Sequence, residues 1–226
     1  KLFFDPKEGL GLNIIRYNIG GGDDPTHHHI TRTDSMVPGY AINPSHDANG
    51  YHWSYDWNAD QNQRNVLMKV AECYGKDLIV EGFSNSPPYF MTNSGCSSGS
   101  VNAGENNLRE DAYGAFASYL ADVAQHFSKE WGIHFQSMTA MNEPDTEYWH
   151  ALSDKQEGCH FDPGESQSVM IIALREALDE RGLNDILISG TDETGIDCQI
   201  NSINSLSDVA RETIARIDTH SYLEGD

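Results

Sequence analysis

Asn142-Glu143-Pro144 directly follows the apolar run 135–141, which places the Glu143 carboxyl at the end of a strand. Cleaving a glycosidic bond takes one carboxyl group that gives its proton to the leaving oxygen and a second, ionised one across the anomeric carbon. Glu143 suits the first of these roles. The neighbouring Asn142 amide can hydrogen-bond a sugar 2-hydroxyl, a contact that strengthens as the oxocarbenium-like transition state forms. The competing reading of the tripeptide alone is a strand-end glutamate that caps the following turn.

Carbohydrate recognition also needs aromatic faces for sugar C–H groups and directional polar partners for hydroxyls. The aromatic candidates are Trp53, Tyr55, Trp57, Tyr89, Tyr148 and Trp149, and the polar ones are Asn85, Ser86, Asp192 and Glu193. Packing within the loops and turn formation compete with these assignments. His27-His28-His29 invites a metal reading, but consecutive residues of an extended segment point in alternating directions and cannot all reach one ion. Asp23, Asp24, Asp47 and His46 lack the spacing of a calcium-binding EF-hand. No metal and no cofactor are therefore expected.

Composition narrows the partners. With 14 Lys and Arg against 35 Asp and Glu, the 226 residues carry a formal charge of −21, which repels nucleic acid and anionic membrane surfaces. No apolar run approaches a membrane span, and the start of the sequence lacks the pattern of a signal peptide. The four cysteines, Cys73, Cys96, Cys159 and Cys198, show no C-x-x-C spacing and leave three disulfide pairings open. Cys73 falls in a helical pattern and reads as a small buried hydrophobe, while the other three lie in loop-like sequence.

Five short runs rich in β-branched residues, 12–17, 78–83, 135–141, 186–189 and 214–218, read as strands buried on both faces. Between them lie helical stripes. Val66, Leu67, Val70, Ala71 and Tyr74 form the first, and Leu108, Ala112, Phe116, Leu120, Val123 and Phe127 the second. Asp162-Pro163-Gly164-Glu165 reads as an N-cap, first-turn proline and acidic N3 residue ahead of Val169, Ile172, Ala173, Ala177 and Leu178, with Gly182 ending that helix. Ile203, Leu206, Val209 and Ala210 make a shorter fourth stripe.

Strict alternation of strand and helix predicts a parallel sheet with right-handed crossovers, as a (β/α)8 barrel or a doubly wound sheet. The segments after strands, 20–58, 84–104 and 142–162, are long and polar, whereas helix-to-strand links are short. That asymmetry favours a barrel with its site on the C-terminal face. Acidic residues after Gly20-Gly21-Gly22 would repel a pyrophosphate, and no dinucleotide fingerprint follows any strand, so an oxidoreductase reading is the lesser one.

Asn142-Glu143-Pro144, together with Arg16-Tyr17-Asn18-Ile19-Gly20-Gly21-Gly22, Ser84-Asn85-Ser86-Pro87-Pro88-Tyr89-Phe90-Met91 and Thr219-His220-Ser221-Tyr222, resembles glycoside hydrolase family 30, of the clan of retaining (β/α)8 glycosidases. The segments 51–64 and 84–99 look most like its endo-β-1,6-galactanase branch. The resemblance implies that Arg16 orients the catalytic carboxylates and that Glu143, beside Asn142, is the general acid/base. It also implies that His220 and Tyr222 line the site beside the nucleophile. Each implication is chemically sound, since a guanidinium orients a carboxylate and a phenol can hydrogen-bond a nucleophile.

The resemblance further implies a nucleophilic glutamate at the end of a seventh barrel strand, whereas this sequence stops at Asp226, just after the sixth. Glu224 and Asp226 follow the sixth strand too closely to serve. The expectation is therefore an incomplete (β/α)8 barrel, residues 1–226 covering strands two to six without the first, seventh and eighth or the accompanying β-sandwich. The expected whole is a secreted retaining glycosidase, monomeric when complete, acting on β-1,6-galactosyl linkages of plant-type polysaccharide. The fragment by itself would be inactive. The alternatives are another β-glycanase activity, on β-1,6-glucan, xylan or β-glucosides, and a carbohydrate-binding protein without catalysis on the same scaffold.

Overall fold

A computed structural model describes residues 1–32 and 35–222. Glu224 and Asp226 lie outside the described residues.

Five strands form one parallel sheet: β1 (Ile14–Asn18), β4 (Ile79–Phe83), β5 (Ser137–Met138), β6 (Leu187–Glu193) and β7 (Ile214–Thr219), hydrogen-bonded in that order. Neighbours in the sheet are neighbours in the order of these strands along the chain, as expected for consecutive strands of a β/α barrel wall. The crossovers contain α1 (Gln61–Tyr74), α2 (Tyr113–Trp131), α3 (Glu165–Glu180), and the pair α4 (Ile196–Ser205) and α5 (Asp208–Thr213). Among the described residues no helix is long and apolar enough to cross a membrane.

The core lies between sheet and helices. Tyr17 of β1 meets Phe127 of α2 and Phe135 ahead of β5 in tilted and edge-to-face contacts, and Leu67, Leu120 and Met138 are fully buried nearby. β4, β5 and β6 are buried along most of their length, as their apolar sequences predict. Among the described residues β1 and β7 each have one neighbour in the sheet; the run into β1 leaves Leu12 and Ile14 exposed, and β7 alternates, leaving Ile217 57% exposed. For these two edge strands the expectation of burial on both faces fails.

Other boundaries shift for local reasons. Only Ser137–Met138 of the run 135–141 forms a ladder strand, although Gln136 N donates to Val80 O (2.8 Å) and Thr139 N to Gly82 O (3.0 Å) on either side of it. β6 runs on to Glu193, so Asp192 and Glu193 are strand residues rather than a turn beyond it. Leu108 and Ala112 precede α2. The N-cap of α3 is Gly164, not Asp162, whose carboxylate is engaged by Asn106 and His160. The buried face of α3 is Met170, Ile171, Leu174, Ala177 and Leu178, so Val169 is exposed, as are Val66 of α1 and Val209 of α5. Ser207 accepts a hydrogen bond from Ala210 N (3.2 Å) and starts α5, which splits the fourth stripe into two helices. Cys73 is exposed on α1, Cys198 lies in α4, and all four cysteines are free.

The long segment after β1, expected as a polar loop, holds an antiparallel hairpin, β2 (Ala41–Asp47) and β3 (Gly50–Tyr55). Its signals were present: alternating aromatic and polar residues from Tyr51 to Tyr55, preceded by Asp47-Ala48-Asn49-Gly50. The hairpin segment is anchored to α2, where Tyr40 N donates to the Tyr119 hydroxyl (3.0 Å), which itself donates to Gly20 O (2.6 Å).

Candidate active site

Arg16, Glu81, Ser137, Ser189 and Arg216, from five adjacent strands, join in one layer of polar and charged contacts. Arg16 of β1 and Glu81 of β4 are register partners, and Arg16 Nε donates to Glu81 Oε1 at 2.9 Å. Glu81 is 2% exposed and its Oε2 accepts from Ser137 Oγ (2.9 Å) and Ser189 Oγ (3.1 Å), with Arg216 Nη2 at 3.5 Å. Burial, and after it the neighbouring Asp218 carboxyl, raises the Glu81 pKa above the usual carboxylate range. Sequence reading missed this layer. The available signal was one glutamate in the otherwise apolar run Ile79-Val80-Glu81-Gly82-Phe83.

Above this layer, at the C-terminal ends of the strands, the predicted residues converge. Arg16 Nη1 donates to Asn142 Oδ1 (3.2 Å), Nη2 donates to the Asp192 carboxylate, and the guanidinium lies 3.8 Å from the centre of the Phe83 ring. Its fork thus orients Asn142 and Asp192; among the described residues none of its hydrogen bonds reaches Glu143. The Glu143 carboxylate accepts from the Tyr148 hydroxyl through Oε2 and has His220 Nδ1 3.4 Å from Oε1. His220 Nε2 is 3.4 Å from Asp192 Oδ1, so the imidazole sits between two carboxylates. The Asp192 interaction, opposed by partial burial and aided by the charge of Glu143, raises the His220 pKa. Burial and then the bond to Glu143 raise that of Tyr148.

Glu143 (φ 49°) and Asp192 (φ 57°) both adopt left-handed backbone conformations, joined by Glu143 N donating to Asp192 O at 2.8 Å. Such strain costs on the order of 1–3 kcal/mol per residue and persists where the surroundings hold it. Here the carbonyl of Glu143 accepts from Trp149 Nε1 (3.0 Å) and Thr146 Oγ1 (3.2 Å), which fixes the turn that aims its carboxylate inward.

Tyr222 is exposed, with its ring 4.8 Å from that of His220. Tyr89 is half-buried and lines an open cleft beside the loop after β1. Asn85 is half-buried, and its backbone N–H donates to Asn18 Oδ1 (3.4 Å).

Several expected sugar contacts are otherwise employed. Trp149 is buried and serves as the clamp on Glu143. Ser86 is buried, its hydroxyl donating to Pro87 O (3.0 Å). Glu193 is fully buried and accepts from Ser202 Oγ (2.7 Å), Gln167 Nε2 (3.1 Å) and Asp145 N (3.1 Å), so it holds the loop after β5 rather than facing the site. Burial outweighs those donors and pushes its pKa up to about 7. Tyr55 and Trp57 pack on α2: Tyr55 donates to Asp122 (2.5 Å), stacks on Trp57 at 4.5 Å, and Trp57 stacks on His126 at 3.7 Å. Trp53 lies beside them, 6.3 Å from the Tyr55 ring.

The chain is 38% identical over 227 residues to an endo-β-1,6-galactanase of Hypocrea rufa, covering 96% of the chain and 45% of that enzyme. It is 26% identical over 97% of its length to an exo-β-1,6-galactobiohydrolase of Bifidobacterium longum, of which it covers 18%. The chain thus spans less than half the length of these relatives. Its fold matches the catalytic domain of xylanase C of family 30 from Talaromyces cellulolyticus with a TM-score of 0.73 at 22% identity, over 98% of the chain and 47% of that domain. The β-strands and helices described above are accordingly part of a (β/α)8 barrel. The sequence profile of the O-glycosyl hydrolases of family 30 matches residues 5–207, and this chain belongs to that family.

Proposed function

We propose that residues 1–226 are part of the catalytic barrel of a secreted retaining glycosidase that cleaves β-1,6-galactosyl linkages in plant-type polysaccharide. The single observation that carries the chemistry is the Glu143 carboxylate, aimed inward by a strained turn and contacted by Tyr148 and His220. The similarity to two enzymes named for β-1,6-galactan supports the substrate class. A polymer too large to enter a cell is met outside it, in keeping with secretion.

In this reading Glu143 gives its proton to the leaving glycosidic oxygen, and a second carboxylate, supplied by a strand following β7, attacks the anomeric carbon. Glu143 then takes a proton from water as that water hydrolyses the glycosyl-enzyme. Asn142, held by Arg16, hydrogen-bonds the 2-hydroxyl. His220 and Tyr222 line the site, and Tyr148, Tyr89 and Asn85 are the contacts left open to sugar. Arg16, by fixing Asn142 and Asp192, acts as a positioning residue.

Glu143→Gln in the full-length enzyme is expected to lower kcat on β-1,6-galactan by about 10²–10⁴-fold. The loss in kcat/KM, which reports the first displacement alone, should be much smaller on an aryl galactoside whose leaving group needs no protonation. Equal losses in kcat/KM on both substrates, or near-normal hydrolysis of the polysaccharide, would refute the assignment.

A further inference from the structure

Alternation along an extended segment, which prevents three consecutive histidines from meeting at one point, brings His27 and His29 to the same side and leaves His28 exposed. The two rings lie 5.4 Å apart, and they meet Asp23 from the same loop and the buried Cys96 from the loop after β4. One ligand atom from each of these four residues lies within 4.8 Å of all the others. His27 Nδ1 is 3.4 Å from Asp23 Oδ1 and His29 Nδ1 is 3.4 Å from Asp23 Oδ2, while Cys96 Sγ lies 3.4 Å from the other ring nitrogen of His29, Nε2. Ligand atoms around a tetrahedral zinc ion sit about 3.3–3.6 Å from one another, the spacing of the two Asp–His pairs.

A second observation points to a missing ligand. The His29 side chain is 10% exposed, yet its Nδ1 is buried without a hydrogen-bond partner. The other ring nitrogen, Nε2, faces Ser98 Oγ at 3.2 Å, the type of outer contact that fixes the tautomer of a metal-bound histidine. Asp23 is oriented in turn by Ser97 N (3.2 Å).

We propose that Asp23, His27, His29 and Cys96 bind one zinc ion that clips the loop after β1 to the loop after β4. A set of two imidazoles, a thiolate and a carboxylate suits zinc over calcium or magnesium, and its two negative charges balance the ion. Ion binding draws the widest pair of ligands inward. The clip extends to the loop that carries Glu143: Leu152 N approaches Cys96 Sγ at 3.4 Å, and Ser98 Oγ donates to His150 O at 2.9 Å. Gly21 lets these loops come together, since a Cβ there would lie 2.5 Å from Pro87 O. The ion would therefore hold three catalytic-face loops in register without touching substrate.

The test is metal analysis of tag-free, full-length protein after exposure to zinc and removal of the excess, with cobalt substitution as the spectroscopic arm. The expected results are about one zinc per chain, a Tm that rises on adding zinc to the chelator-stripped protein, and a thiolate-to-cobalt charge-transfer band. Cys96→Ser should abolish the band, and His27→Gln should lower zinc retention, while His28→Gln leaves both unchanged. Ser98→Ala should weaken zinc binding about 10–100-fold. No bound zinc in the wild type, a charge-transfer band that survives Cys96→Ser, or Cys96 found in a disulfide would overturn the proposal. The first and third of these need no variant to fold, and none of the readouts depends on glycosidase activity.

Discussion

Tyr148 shows how one hydroxyl can bear on the proposed chemistry. Its phenol donates to Glu143 Oε2, opposite the oxygen that faces His220, so the carboxylate is held from two sides. Hydrogen bonds to charged groups contribute about 1.5–3 kcal/mol. Tyr148→Phe keeps the ring packed on Trp149, 4.5 Å away, and removes only the donor. The expected outcome is a fall in kcat on β-1,6-galactan of about 10-fold or more with little change in Tm. Steady-state kinetics beside a thermal melt checks this, and unchanged kcat would remove Tyr148 from the machinery.

At the scale of elements, the loop after β5 is built around Trp149, which holds the Glu143 carbonyl and rests on Gly158. A Cβ at residue 158 would lie 2.1 Å from the Trp149 ring, a distance no real pair of atoms tolerates. Gly158→Ala must therefore push the indole away and loosen the strained turn at Glu143. Overpacking of this kind costs on the order of 1–3 kcal/mol. The expected result is a lower Tm together with a drop in kcat larger than any rise in KM. A variant with reduced Tm and wild-type kcat would show that the clamp does not transmit to the carboxylate.

The same loop carries Glu157, whose titration is felt by the whole molecule. It is fully buried, Val37 N donates to its Oε1 (3.2 Å), and among the described residues its Oε2 has no hydrogen-bond partner. Burial pushes its pKa up to about 8 from an ordinary 4.5. Between those values the unfolded chain has released the proton that the folded chain still holds, so stability falls as pH rises from about 4.5 to about 8. The loss attributable to this group is on the order of 4 kcal/mol. Glu157→Gln should match the wild type near pH 5 and exceed it near pH 9 in denaturant unfolding of the full-length protein, to be compared at both pH values. Parallel stability curves for the two proteins would refute the argument.

A second consequence at that scale concerns the sheet edges. Among the described residues β1 and β7 each lack a partner on one side, and Ile203, Ile214, Ala215 and Ile217, with Arg211 and Arg216, line a cleft of about 430 Å³ against β7. Unpaired strand edges beside exposed apolar surface template association. Residues 1–226 expressed alone are therefore expected to self-associate, which light scattering after size-exclusion chromatography would reveal. A monomer with one cooperative unfolding transition would contradict this.

Much of this molecule is legible in its sequence because periodicity reports which surface an element buries. Continuous apolar runs mark β4 and β6, three- and four-residue spacing marks α2, and long polar segments mark the catalytic face. The motif residues Arg16, Asn142, Glu143 and His220 do converge, because a parallel barrel brings all strand C-termini to one end. Local pattern fails where the partner is remote in sequence. It cannot tell that Trp149 and Glu193 are turned inward to hold loops, or that Tyr55 and Trp57 are spent on α2, since an aromatic in a polar loop looks the same in either setting. Nor can it pair Cys96 with His29 across 67 positions or place Glu81 within reach of Arg16 and Arg216. Sequence by itself determined the alternation of elements and the end of the barrel at which chemistry is possible. Which side chains face that space, and which are consumed in building it, was decided only by tertiary packing, because burial and hydrogen-bond competition are properties of the assembled loops.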